Sequence, residues 1–208
     1  MLPFRTTFLI LSSFLLAHCT PVHKQMQAAQ ADVNRVRQFQ PAFGTALYNT
    51  TVDVTGNHLS GLLMIKRMPD SSVRIVFSSE MGLGFFDFEF RPDGDFKVHS
   101  IIKKMNRKAV IKTLRHDFEL VLMNRLDYTK ASVRSNGGEL YFIFPQEKGF
   151  NYYVTDPEFK ELIRMERASN KKVIVKAVVK DMRNGIPDSI GIAHQAFEFN
   201  IGLKRIER

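Results

Sequence analysis

From Phe43 onward, apolar and polar side chains alternate with a period of two, the pattern of strands that bury one face and wet the other. Phe43 to Val54 predicts a first strand. His58 to Arg67 predicts a second, entered through Thr55-Gly56-Asn57, and Ser72 to Ser79 a third, entered through Pro69-Asp70. In Gly84-Phe85-Phe86-Asp87-Phe88-Glu89-Phe90, Phe86, Phe88 and Phe90 share one face and Asp87 and Glu89 the other, so one side of this fourth strand is apolar. Pro92-Asp93-Gly94 then turns the chain into a fifth strand at about Asp95 to Ile102. Strands joined by turns this short make an antiparallel meander.

Between Asn106 and Arg125 the period changes to that of a helix: Val110, Ile111, Leu114, Phe118, Val121 and Leu122 fall on one arc. Asn106 is the expected cap, and the apolar stripe requires a sheet to lie against. Strands resume at about Ala131 to Arg134 and Glu139 to Phe144, joined by the hairpin signal Asn136-Gly137-Gly138, and continue at Phe150 to Thr155. Two more are readable at Lys171 to Asp181 and Gln195 to Ile206, the latter alternating Phe197, Phe199, Ile201 and Leu203. Asp156-Pro157-Glu158 followed by Phe159, Leu162 and Ile163 has the local signature of a helix start. The strand-like flanks outweigh it, and the segment is read as a hairpin with its loop at Asp156 to Lys160.

The N-terminus follows a different rule. Arg5 precedes the apolar run Phe8 to Ala17, about half the length that spans a bilayer as a helix, which is the layout of a cleavable signal peptide over residues 1–18. The run ends in Leu16-Ala17-His18-Cys19, which resembles the lipobox of bacterial lipoproteins, with His18 standing where the pattern has a small residue. That resemblance implies lipidation of Cys19. The alternative is an unmodified thiol in an uncleaved tail. Cys19 is the only cysteine, so no intramolecular disulfide and no thiolate zinc cluster can form. Residues 19–41, rich in Gln, Ala and charge, read as a tether that is helical in part, and 42–208 as a single domain.

Charge and candidate chemistry narrow the function. The chain carries a formal +9, and about +8 once Arg5 leaves with the signal. On an exported protein this points to anionic lipid head groups or acidic envelope partners as readily as to a solubilising surface. Nucleic acid is disfavoured by the export signal and by the lack of zinc-finger spacing or a base-reading helix. The six histidines are scattered with no HExxH pair, and there is no G-x-S-x-G elbow, Walker loop or GxGxxG, so neither an enzyme, a metal site nor a cofactor is expected.

The order of elements, together with Tyr152-Tyr153-Val154-Thr155-Asp156, Leu162 to Glu166, Ile186 to Ile192 and the closing Phe197 to Ile206, resembles the LolA/LolB-type lipoprotein carriers and acceptors of the Gram-negative envelope. The resemblance covers about Phe43 to the end and rests on polarity patterns more than on fixed residues. It implies a mainly β (α+β) fold, an incomplete antiparallel β-barrel (half-barrel) wrapped around one long helix over an apolar cavity that accepts acyl chains. Alternation places Leu63, Ile65, Phe77, Phe86, Phe88, Leu114, Phe118 and Phe199 toward that interior, where each either lines the cavity or fills an ordinary core. Glu80-Met81-Gly82-Leu83-Gly84 is either a tight connection with Leu83 packed inward, or a membrane-contact loop of Met81 and Leu83 like the protruding apolar loop of LolB-type acceptors. The family implies a monomer fixed to the outer membrane, on its periplasmic face, by the N-terminal lipid. Lipid acyl chains or lipoproteins would be its ligands, and a periplasmic carrier protein a possible partner. A non-enzymatic assembly or scaffold lipoprotein that holds a protein partner on the same fold is the alternative.

Overall fold

The computed structural model describes residues 26–206; the signal segment and Cys19 lie outside them. Thirteen strands pair antiparallel into one open sheet. In chain order they are β1 (Gln27–Ala28), β2 (Thr45–Val54), β3 (Asn57–Arg67), β4 (Val73–Ser78), β5 (Gly84–Phe90), β6 (Phe96–Ile101), β7 (Ser132–Asn136), β8 (Glu139–Pro145), β9 (Phe150–Thr155), β10 (Leu162–Ala168), β11 (Val173–Arg183), β12 (Ile186–His194) and β13 (Phe199–Arg205). Their order across the sheet is β1-β7-β8-β9-β10-β11-β12-β13-β2-β3-β4-β5-β6, so the sheet keeps two free edges and does not close into a barrel.

Register explains why one face is continuously apolar. A transverse row runs Val133, Phe142, Tyr153, Met165, Ala177, Ile192, Ile201 and Val52 across eight strands, and every member is buried. A second row, Tyr48, Leu63, Phe77, Phe86 and Ile101, continues the same face through the meander. A slip of one residue in any strand would carry its whole set to the solvent side, so this alternation fixes the pairing.

The element read as one long helix over Asn106 to Arg125 is shorter. It is α1, Lys108–Val121, 14 residues, entered through Arg107 with no side-chain cap, so Asn106 does not cap it. Met123, at φ 51°, ends it before Arg125. A 3-10 helix at Val33–Phe39 accompanies it, capped by the Asp32 carboxylate, which accepts from the Asn34 N–H. The segment read as a tether is therefore folded from Met26 onward: Gln27 and Ala28 pair with Ser135 and Arg134 of β7, and Val36 is fully buried. At Asp156 the chain makes a hairpin, with β9 and β10 flanking the loop. The Asp156 carboxylate accepts from the backbone N–H groups of Glu158, Lys160 and Glu161, so the residue that looked like a helix cap organises a loop instead.

Candidate functional site

Between α1 and the sheet lies a cavity of about 370 Å³ whose wall is mostly apolar. The sheet contributes Val52 and Val54 of β2, Leu59 and Leu63 of β3, Phe77 of β4, Phe86 of β5, and Phe199 and Ile201 of β13. The helix and its approach contribute Ile102, Met105, Ala109, Val110, Thr113, Leu114 and Phe118. Of the residues expected to face the interior, Leu63, Phe77, Phe86, Leu114, Phe118 and Phe199 stand on this wall; Ile65 and Phe88 do not. They belong to the adjacent row Ala46, Ile65, Ile75, Phe88 and Val98, where Phe88 stacks on Phe86 at 4.4 Å and meets Phe96 edge-on at 5.3 Å. Side chains fill the space there. Val52, Val54, Leu59 and Ile201 also stand on the wall without having been expected there, although the strand alternation carried them: they share parity with buried neighbours on their own strands.

One end of the space under the sheet is sealed. The Gln40 side-chain amide donates to the Leu122 and Met123 carbonyls, both at 3.3 Å, satisfying acceptors that the end of α1 leaves open. Gln38 donates to the Phe159 carbonyl at 2.9 Å, while the guanidiniums of Arg35 and Arg37 lie over the rings of Phe159 and Tyr128. The buried Tyr153 hydroxyl donates to the Leu120 carbonyl, and burial raises its pKa far above the ordinary phenol value. On its middle turns α1 is pinned by Asp117, which meets the His194 imidazole at 2.9 Å with both side chains almost wholly out of solvent. Burial raises the Asp117 pKa against the opposing hydrogen bond from His194.

The opposite end is open. The last residues of β2, β4 and β6 and the first of β3, β5 and β13 share one end of the antiparallel sheet. The exposed members of the cavity wall, Thr55, Asn57, Lys104, Ala109 and Phe197, mark the mouth there. The loop between β4 and β5 lies at the same end of the sheet, with its Glu80 lining the trough on the outer face. Its Met81 is 96% and Leu83 63% exposed, so Leu83 does not pack inward. The loop is nonetheless held in shape: the Ser79 N–H donates to the Leu83 carbonyl at 2.8 Å, the Ser79 hydroxyl accepts from the Leu83 N–H, and Gly82 takes a left-handed φ of 84°. Gly61 lets the loop begin against β3, because a Cβ there would lie 2.0 Å from the Ser78 carbonyl oxygen.

A larger depression of about 660 Å³ lies on the outer face, where Gly191, Gly202 and Thr51 pair across β12, β13 and β2. It is a trough left by missing side chains and lined by Asn49, Ser60, Lys180, Ser189 and Lys204, so size alone does not make it the better site.

No protein-family model matches the sequence, and no curated protein matches it significantly. In structure it is similar to a LolA superfamily protein from Nitrosomonas europaea, with a TM-score of 0.53 at 9% identity over 86% of this chain and 92% of that one. The fold is of the LolA/LolB type. Weaker likenesses are to a putative outer membrane lipoprotein-sorting protein domain from Vibrio parahaemolyticus (TM-score 0.48, 6% identity, 85% and 90% of the two chains) and to a DUF1329 family protein from Desulfovibrio piger (0.43, 10%, 84% and 88%).

Proposed function

We propose that this protein is a lipid-anchored envelope lipoprotein, without enzymatic activity, that takes acyl chains of lipids or lipoproteins into the cavity beneath its sheet and delivers them at the outer membrane. The observation that carries this reading is that two features lie at one end of the sheet: the mouth of the apolar cavity and the exposed side chains of Met81 and Leu83. Exposed apolar side chains on a well-formed loop at that end suit insertion among lipid tails. Burial contributes about 0.8 kcal/mol per methylene, so a chain of about ten methylenes gains roughly 8 kcal/mol before the cost of ordering it. Cys19 supplies the anchor in this reading, and the N-terminal segment reaches the domain along the β7 edge, away from the mouth.

Thr113→Phe tests the reading by filling the space from α1, a residue on the wall whose enlargement removes no buried contact. In the full chain carrying Cys19→Ser, this variant is expected to weaken binding of a fluorescent fatty acid at least tenfold while melting no earlier than its parent. Undiminished binding would remove the acyl-chain reading and leave a scaffold lipoprotein, holding a protein partner on the same fold, as the better account.

A further inference from the structure

The mouth of the cavity is charged on one side. From Lys103 to Lys112 the chain carries five cations, at 103, 104, 107, 108 and 112, and no carboxylate. Lys104 stands on the cavity wall itself, with its ammonium 3.3 Å from the Asn57 side-chain oxygen, a neutral acceptor. Lys103, Arg107 and Lys108 are exposed beside it, and none of these four cations is in an ion pair among the described residues. Of the carboxylates at that end of the sheet, Glu198 accepts from the Gly56 N–H at 3.2 Å, Asp53 meets His58 at 2.6 Å, and Glu80 lines the outer trough rather than the cavity. The first turn of α1, which supplies Ala109 and Val110 to the wall, has no acidic residue and no side-chain cap. Cations therefore stand where a helix favours negative charge, and with no carboxylate on the cavity wall the potential at the mouth is positive.

The space behind the mouth limits the ligand too. A water molecule takes about 30 Å³ of liquid and a methylene is of similar size, so about 370 Å³ holds on the order of a dozen methylenes, one acyl chain rather than several. We infer that the ligand of this cavity is an anionic lipid, one acyl chain lying among Leu63, Phe86, Leu114 and Phe199 and its anionic head, a phosphodiester or a carboxylate, held at the mouth by Lys104 with Lys103, Arg107 and Lys108. This rests on the acyl-chain reading above and narrows it to a charge class.

The test uses the full chain with Cys19→Ser and calorimetric titration of lipids below their micelle concentrations, so that no membrane surface is present to attract the basic rim. Myristoyl-lysophosphatidylglycerol, myristate at pH 8 and myristoyl-lysophosphatidylcholine share a chain and differ in head group. At low salt at least one of the anionic lipids is expected to bind tenfold or more tighter than the zwitterionic one, and which of them does so distinguishes phosphodiester from carboxylate. The preference should shrink toward unity at 0.5 M salt and in Lys104→Ser/Lys108→Ser, whose melting stays that of the parent, and Lys104→Arg should keep it. Equal affinities in the parent, or a preference that survives the double substitution, would overturn the head-group inference and leave acyl binding standing. Failure of all three lipids to bind would sink the acyl-chain reading and this inference with it.

Discussion

The two ends of the space beneath the sheet are built by the same alternation and differ in what fills it. At the sealed end, Phe142, Phe144, Tyr153 and Met165 occupy the inward positions, Val36 plugs in from the 3-10 helix, and every one of them is out of solvent. At the open end the inward positions include Val52, Val54, Leu59, Ala109 and Thr113, small or short side chains that do not reach across to one another, and a cavity remains. Both sets satisfy the pattern of strands and helix. What separates a core from a site is side-chain volume summed over elements far apart in sequence, since interiors pack to nearly constant density wherever the atoms suffice.

That contrast can be broken by truncating one aromatic at each end. Tyr153→Ala, at the sealed end, removes a fully buried ring and the hydroxyl that reaches the Leu120 carbonyl, and is expected to cost about 3–5 kcal/mol in denaturant unfolding. Phe199→Ala, on the cavity wall, removes a ring that already faces empty space on one side, and should cost less than half as much. Equal losses would mean that the open end is packed as tightly as the sealed one.

The loop between β4 and β5 offers a sharper contrast with the core, because its apolar side chains contribute nothing to packing. Met81→Glu with Leu83→Glu should leave stability within about 0.5 kcal/mol of the parent, while reducing co-sedimentation of the Cys19→Ser chain with liposomes several-fold. A large drop in melting temperature would show that the loop supports the fold.

A pH-dependent effect is expected from His116, on α1 away from the cavity. Burial, followed by the positive charges of Arg167, Lys112, Arg115 and Arg125, pushes its pKa down to about 4. The unfolded chain then binds a proton that the folded chain does not between about pH 6.5 and 4. Stability contributed by neutral His116 is therefore present above pH 6.5 and lost as pH falls to 4, and His116→Gln should flatten that part of the stability profile. An unchanged slope would place the acid sensitivity of that window elsewhere, and Glu89 acts only at lower pH. Hydrogen bonds from Arg91 and His99 bring the Glu89 pKa to about 2, so its contribution is lost only below its ordinary value of 4.5.

Much of the architecture is legible in local pattern. The meander, the helix stripe and the strand pairs announce themselves because each depends on residues close in sequence: alternation within a strand, glycine-bearing turns between strands, an arc of apolar positions on α1. One strand escaped. Ile186–His194 pairs with β11 from Val175↔His194 to Arg183↔Ile186, yet Pro187 and Gly191 weaken its strand pattern. The turn that creates it was visible, for Asn184 and Gly185 are left-handed at φ 51° and 77°, the Asn-Gly form of a tight hairpin. At 33–39 some helix was expected but its docking was not: a short 3-10 helix gains its stability from what it covers, and nothing nearby in sequence says that Val36 will meet a core.

For the site, the sequence by itself determined which parity of each strand faces inward, and so named Leu63, Phe77, Phe86, Leu114, Phe118 and Phe199 as interior residues. It also determined that Met81 and Leu83 sit in a turn and that Lys103 to Lys112 is basic. Tertiary structure alone decided that Ile65 and Phe88 lie in filled core, that Leu83 points outward, and that the turn, the basic stretch and the mouth of the cavity lie at one end of the sheet. Periodicity is a property of one element, read from neighbours in the chain. Empty volume and a shared end of the sheet are properties of several elements at once, fixed only when antiparallel pairing brings their ends together.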